Sequence, residues 1–361
     1  MNILKSTQLD FTGQHIYVGL DVHKLSWKVV IYTKYGRFKS FSQDPDPGIL
    51  ARFLHRQFPG AEYRIVYEAG CFGFWIQQQL QALGMNAILI HPGDVPTTDK
   101  QKKRKTDRVD ANKLAQELRS GNLQAIYVPS QQAILDRLLI RTRVRLVTNQ
   151  TRTKNQIKSL LTFLGIPIPY ESHQHWSGHF MGWLSNLQLP NPTGTLSLTT
   201  YLNTLEQCKG QLAEHTRHIR KLARDERYQK SVELLRTIPG IGPISAMVLL
   251  TEIIDITRFK NMDKLCGYVG LVPDMEASGD TTKIKGLTKR ANTYLKHIII
   301  EASWVAVKKD PVLMHDFNYL SKRMTKQRAI IRIARKLLAR IRFVWIHQQP
   351  YKIGLIHAQP T

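Results

Sequence analysis

Within the first 90 residues, five short apolar runs alternate with breaker signals in an order that few folds accept. Residues 16–20 form a compact apolar run that ends at Asp21 and reads as a buried strand. Residues 27–33 are a second β-rich run, Tyr35-Gly36 supplies a turn, and residues 37–41 alternate as a third strand. Residues 47–58 read as a helix, bounded by Asp-Pro before and Pro59-Gly60 after. Residues 63–67 are a fourth strand, ending at Glu68. Residues 74–83 form an apolar-periodic helix stopped by Gly84, and residues 85–90 a fifth strand stopped by His91-Pro92-Gly93. A helix over 107–119 and a short run at 124–128 complete the segment.

Three strands, then helix, strand, helix, strand and helix, is the order of an α/β ribonuclease-H-like domain. In that arrangement the first and fourth strands are neighbours, so Asp21 and Glu68 leave the sheet at one rim. The last helix crosses the same rim and carries Asp107 and Asp110, one turn apart on one face. Each acid alone has an ordinary explanation. Acids three apart in a first turn are favoured by the helix dipole, and Asp21 also reads as a turn cap. Four carboxylates converging from distant positions, by contrast, are untenable without cations, and they suit Mg²⁺ or Mn²⁺. Lys100, Lys102, Lys103, Arg104 and Lys105 crowd in just upstream, which places an anionic partner beside the acids.

The net charge of +25, from 52 Lys+Arg against 27 Asp+Glu, makes nucleic acid the leading partner. A membrane span is not expected, because no apolar run reaches about 18 residues. The first residues lack the apolar core of a signal peptide, so the protein is expected in the cytoplasm, associated with the nucleoid. Cys71, Cys208 and Cys266 have no paired spacing, which argues against a disulfide framework and a zinc finger. His173, His175 and His179 read as surface residues of a connector.

Residues 130–164 have few breakers and strong helical content. Leu135, Leu138, Leu139, Leu146, Ile157, Leu160, Leu161 and Leu164 are apolar, and Arg137, Arg141, Arg143, Arg145, Arg152, Lys154 and Lys158 fill much of the rest. The helix is either a solvated amphipathic one or one that tracks a nucleic-acid backbone. A second long basic helix is expected over 199–236, and two such helices joined by a connector suggest an antiparallel coiled-coil arm. The domains are therefore expected at 1–129, 130–232 and 233–361.

The last of these is expected to be mostly α. Ile238-Pro239-Gly240-Ile241-Gly242 between two helices resembles a helix-hairpin-helix element, in which Gly240 and Gly242 let backbone N–H groups approach a phosphate. A tight helix junction explains the same glycines equally well. Residues 274–290 read as a polar loop with Ser278-Gly279 followed by Lys283, Lys285, Lys289 and Arg290. A serine beside cations is chemically able to attack a phosphate, although composition alone favours a loop serine bonded to its own backbone.

Gly19-Leu20-Asp21-Val22-His23-Lys24, Tyr67-Glu68-Ala69-Gly70 and Lys105-Thr106-Asp107-Arg108-Val109-Asp110-Ala111 resemble the N-terminal domain of the DEDD family of bacterial insertion-sequence transposases. That domain is like the Holliday-junction resolvase RuvC. Ile238-Pro239-Gly240-Ile241-Gly242, Phe259, Gly270-Leu271-Val272-Pro273, Ser278-Gly279 and Ala334-Arg335-Lys336-Leu337-Leu338 are similar to that family's C-terminal transposase domain. The chain departs from the pattern at Gly70-Cys71, where Thr-Gly is usual, and at Ala291, where Gly often stands.

The resemblance implies a recombinase guided by a structured RNA from its own element, which pairs with donor and target DNA. It implies Asp21, Glu68, Asp107 and Asp110 as metal-binding carboxylates and Ser278 as a nucleophile that joins covalently to a DNA phosphate. Dimers and tetramers, in which one subunit's carboxylates work with another's serine, are implied as well. Two other functions fit the basic surface: a junction-resolving nuclease that uses carboxylates and water alone, and a non-catalytic nucleic-acid-binding protein.

Overall fold

Alternation along five strands sorts the residues of the N-terminal part between the two faces of one sheet. The computed structural model describes residues 10–95, 107–169, 176–278 and 281–354. The chain divides into two compact units, Met1–Pro129 and Ser130–Thr361. In the first, β1 (His15–Val22), β2 (Trp27–Thr33), β3 (Gly36–Gln43), β4 (Glu62–Glu68) and β5 (Asn86–Ile90) stand in the order β3-β2-β1-β4-β5. The first three strands pair antiparallel, whereas β4 pairs parallel with both β1 and β5. This is the mixed sheet that the strand and helix order predicts.

Ile16, Val18 and Leu20 on β1 turn to one face, where they pack with Leu50 and Leu54 of α1 (Pro47–Gln57) and Ile76 and Leu80 of α2 (Trp75–Ala82). Asp46 caps α1 by accepting from the Gly48 N–H (2.6 Å), and Pro47 opens the helix without wasting a donor. The opposite face packs on α3 (Asp107–Ser120). There Val30 and Tyr32 meet Ala111 and Ala115, while Val66 and Ile90 meet Leu114. The run at 124–128 is not a strand, although the Ile126 N–H donates to the Leu89 carbonyl (2.8 Å).

The second unit is helical. α4 (Gln131–Phe163) starts at a Ser130 cap and packs along α6 (Pro192–Leu222), with α5 (Gly178–Asn186) between them in sequence. Ile157, Leu161, Phe180, Leu184, Leu198 and Leu205 form a small core among these three helices. The helix expected over 199–236 is two helices, because α6 ends at Leu222 and α7 (Gln229–Leu235) follows. The break has a tertiary cause. Arg227 and the Tyr228 hydroxyl both donate to the buried Asp136 of α4 (2.8 and 2.7 Å), which turns residues 223–228 back toward that helix.

α8 (Pro243–Ile253), α9 (Met262–Val269), α10 (Thr293–Lys309), α11 (Pro311–Ser321) and α12 (Lys326–His347) surround a larger core, of which α8 is the most buried part. The polar stretch at 274–290, expected as a loop, contains a two-stranded hairpin of β6 (Pro273–Ser278) and β7 (Thr281–Leu287). Among the described residues no helix is long and apolar enough to cross a membrane.

Candidate active site

The first cluster of chemistry-bearing residues is built on the sheet face that α3 covers. β1 and β4 run in register, with Leu20 opposite Tyr67, so Asp21 and Glu68 follow at the next step, at the ends of adjacent parallel strands. Strand alternation puts Asp21 on the same face as Gly19, and Glu68 on the same face as Val66. Both of those residues lie against α3. Val66 packs on Leu114, and at Gly19 the helix comes so close that a β-carbon would stand 2.1 Å from the Ala111 carbonyl oxygen and 2.6 Å from the Ala115 nitrogen. No residue but glycine fits between helix and strand there.

Gly19, Ala111 and Ala115 thus seat the start of α3, with Asp107 at its first position and Asp110 in its first turn, beside the end of β1. The Tyr32 hydroxyl fixes the rotation of the helix by donating to Asn112 Oδ1 (3.0 Å). The signals for these packing residues are a glycine two positions before a strand-end acid and alanines four apart on the facing helix. His23 Nε2 lies 3.2 Å from Asp21 Oδ2, and the Asp21 side chain is about one-fifth exposed, at 21%. Lys102, Lys103, Arg104 and Lys105 lie outside the described residues.

The donor set of this cluster is oxygen only, which suits a hard divalent cation better than zinc or copper. Among the described residues no three His, Cys, Asp or Glu side chains stand close enough to hold a metal ion. What fits a metal is therefore the chemistry of the donors, with Asp21 and Glu68 at the ends of neighbouring strands.

The second cluster lies in the other unit. Ser278 is the last residue of β6 and pairs in register with Thr281 of β7, while Lys283 pairs with Glu276. Lys285 lies two positions beyond Lys283 on β7. Lys289 and Arg290 are exposed beyond the end of that strand. The hairpin stem is closed by the Thr288 N–H, which donates to the Val272 carbonyl (3.0 Å), and by the Asn292 N–H, which donates to the Tyr268 carbonyl (2.9 Å). Gly270 (φ +83°) closes it further, since a β-carbon there would meet that of Ala291 at 2.1 Å.

The two hairpin glycines differ in what they do. Gly240 (φ +89°) lies on α10, where a β-carbon would come within 2.3 Å of the Ala302 carbonyl, so packing alone requires it. Gly242 has open space on that side and precedes α8, whose first N–H groups no side chain caps.

Several α4 cations, expected either in solvent or along a nucleic-acid backbone, are instead committed to protein partners. Arg137 Nε donates to the Thr251 carbonyl (2.9 Å), Arg143 Nε to Thr216 Oγ1 (2.9 Å), and Arg141 grips Glu252 through two donors (2.7 and 2.9 Å). Burial lowers the Arg137 pKa from its usual value, with Glu252 opposing, whereas the hydrogen bond that Arg141 donates to Glu252 raises that of Arg141. Arg145 and Arg152 remain on the exposed side of α4. Leu135 and Leu138 also face outward, at 53% and 51% exposure.

A mixed α/β sheet with acids at the ends of β1 and β4, joined to a helical C-terminal region, is consistent with a ribonuclease-H-like DEDD fold of the transposase class. Comparison with known proteins gives the family. Residues 18–166 match the DEDD transposase model of the IS110 group, and residues 232–318 match the model described as Transposase IS116/IS110/IS902 family. The protein y4qE of Sinorhizobium fredii, which carries a transposase name, is 28% identical over 299 residues, covering 80% of this chain and 71% of that protein. The transposase for insertion sequence element IS1533 of Leptospira borgpetersenii is 27% identical over 252 residues (68% and 72%). The transposase for IS1111A of Coxiella burnetii is 24% identical over 299 residues (80% and 79%). The chain belongs to the IS110 family of transposases, enzymes of mobile elements that cut and rejoin DNA. The DEDD transposases are generally dependent on a divalent metal.

Proposed function

We propose that this transposase cuts and rejoins DNA through a phosphoserine on Ser278, assisted by carboxylates of the first unit and guided by a structured RNA of its own element. The observation that carries the reading is the occurrence in one chain of two sets of residues able to act on a phosphate. Asp21 and Glu68 lie at adjacent strand ends on the face of α3, the helix that starts with Asp107 and Asp110. Ser278 lies at a strand end in a hairpin rich in lysine. In this reading Asp21, Glu68, Asp107 and Asp110 would hold Mg²⁺ or Mn²⁺, which would supply polarisation of the scissile phosphate and stabilisation of the leaving oxygen.

The Ser278 oxygen attacks phosphorus and loses its proton, the bond from phosphorus to the deoxyribose oxygen breaks, and that oxygen leaves as a hydroxyl. A hydroxyl of the second strand then attacks the phosphoserine, re-forms a phosphodiester and returns serine. The number of phosphodiester bonds is conserved, so no nucleotide is consumed. Lys283, Lys285, Lys289 and Arg290 receive phosphate oxygens near the serine, and Lys102, Lys103, Arg104, Lys105 and Gly242 contact the backbone elsewhere, with Gly240 shaping the hairpin that presents Gly242. α4 and α6 form a coiled-coil arm through which copies assemble as dimers and tetramers.

The test is a denaturing gel of end-labelled DNA that carries the element's ends, incubated with the protein and its co-purifying RNA. A protein–DNA adduct is expected, with none from Ser278→Ala or Asp21→Ala. A Ser278→Ala protein that cuts and exchanges strands normally would return the function to a nuclease using water. Undiminished activity in Asp21→Ala would make the carboxylates structural, and absence of a specific bound RNA would remove the guide.

A further inference from the structure

Glu252 stands at the crossing of three elements and is fully buried. Its carboxylate accepts from Arg141 Nε and Nη2 on α4 (2.7 and 2.9 Å) and from Asn292 Nδ2 at the start of α10 (2.8 Å). Arg137 Nε adds a second guanidinium 3.8 Å away. The Glu252 backbone carbonyl takes the Tyr268 hydroxyl (3.0 Å). The next residue but one, Ile254, sits at φ +64°, a conformation that a β-branched side chain rarely adopts and that persists only where the surroundings impose it.

Tyr268 and Asn292 flank the β6–β7 hairpin. Their backbones bond to each other, and the Asn292 side chain is used twice: Oδ1 caps α10 through the Leu295 N–H (3.2 Å), while Nδ2 reaches Glu252. A two-stranded hairpin has little stability of its own, so where its end points is decided by how its stem is held. The stem is held by Asn292 and Tyr268, and both reach the arm through one residue.

We propose that Glu252 is a positioning residue that ties the hairpin carrying Ser278 to the arm helix α4, so that the serine is presented at a set place relative to the arm. The inference rests on the reading of Ser278 as the nucleophile. A buried ion pair is weak as a source of stability, since a packed apolar pair does as well, and its best-attested use is to select one arrangement. Here the arrangement selected is that of the one segment in this unit expected to do chemistry. Arg141 is held from its other side as well, with its guanidinium over the Tyr294 ring at 4.8 Å, so the link runs from α4 through Arg141 and Glu252 to both sides of the stem.

The test compares full-length Glu252→Gln, Arg141→Lys and Ser278→Ala, each with its co-purifying RNA, on DNA bearing the element's ends. Melting temperature, DNA affinity, the single-turnover rate of adduct formation and amide exchange at Thr288 and Asn292 are measured. Glu252→Gln and Arg141→Lys are expected to bind DNA within about twofold of the parent and to form adduct about ten- to a hundredfold more slowly, as a misplaced reacting group does. Their Thr288 and Asn292 amides exchange faster, while those of α12 do not. Adduct formation that stays near the parent rate in a folded variant, or falls only in step with DNA affinity, overturns the inference. If Glu252→Gln does not fold, Arg141→Lys decides, because that side chain is 34% exposed and tolerates the change. Adduct persisting in Ser278→Ala overturns the reading of the nucleophile instead, whatever the other two variants do.

Discussion

Gly19 sets how near α3 comes to the strand that ends in Asp21, and a single methyl group tests it. Gly19→Ala drives its β-carbon against backbone atoms of Ala111 and Ala115, which cannot rotate away. Overpacking of this kind costs about 1–3 kcal/mol, and the displaced helix carries Asp110 with it. The expected outcome is a modest fall in urea midpoint together with a loss of DNA cleavage larger than the unfolded fraction explains. A variant that loses activity only in proportion to folding would mean that the seating of α3 is structural.

Asp310 gives a pH test. It caps α11 and is fully buried. Burial pushes its carboxyl up, but hydrogen bonds from Tyr351, the Leu313 N–H and Arg340 together outweigh this and leave it below the usual carboxylate value. A carboxylate depressed on folding adds stability above its unfolded pKa, and the benefit disappears as pH falls through the folded one. Asp310→Asn is therefore expected to cost about 1–3 kcal/mol at pH 7. By urea unfolding, the gap should shrink as the pH is lowered below about 4. A gap independent of pH would deny the carboxylate its charge-dependent role. Arg137 and Arg141 illustrate what residue-level reading misses. Their spacing on α4 suits cations facing solvent or a nucleic-acid backbone, and nothing near them in sequence announces the acid Glu252, which lies 111 positions from Arg141.

Elements defined by apolar period were legible, and those defined by tertiary bonds were not. The sheet order follows from where β-rich runs and breakers fall, and with it the neighbouring positions of Asp21 and Glu68. The β6–β7 hairpin was hidden because β6 is polar and β7 carries Lys283 and Lys285, without the apolar alternation of a strand that covers a core. The break between α6 and α7 was hidden because residues 223–228 contain neither glycine nor proline, the turn being imposed by Asp136. α4 carries its own prediction. Arg145 and Arg152 are exposed beside clefts of about 500 and 680 Å³ that α4 forms with α10 around His297. If both arginines neutralise phosphates of duplex DNA, Arg145→Ala/Arg152→Ala should flatten the log–log salt dependence of binding by roughly 1.8, at about 0.9 per contact. An unchanged slope would take the bound strand off this side of α4.

At the scale of the molecule, the carboxylates belong to one compact unit and Ser278 to the other. The excess of basic over acidic residues, 52 against 27, makes unassisted self-association costly and assembly on a polyanion favourable. If each active centre takes its carboxylates from one copy and its serine from another, two inactive proteins repair each other. In a mixed dimer of Asp21→Ala with Ser278→Ala, one centre combines the intact carboxylates of the second protein with the intact serine of the first. The other centre has neither. Random pairing of equal amounts then restores about a quarter of the parent centres, as two-fold symmetry requires. The adduct should form only on the Asp21→Ala chain, which a size tag on one of the two proteins reveals on a denaturing gel. If instead each chain supplies its own carboxylates and serine, every centre in the mixture lacks one part, and no adduct forms at any ratio.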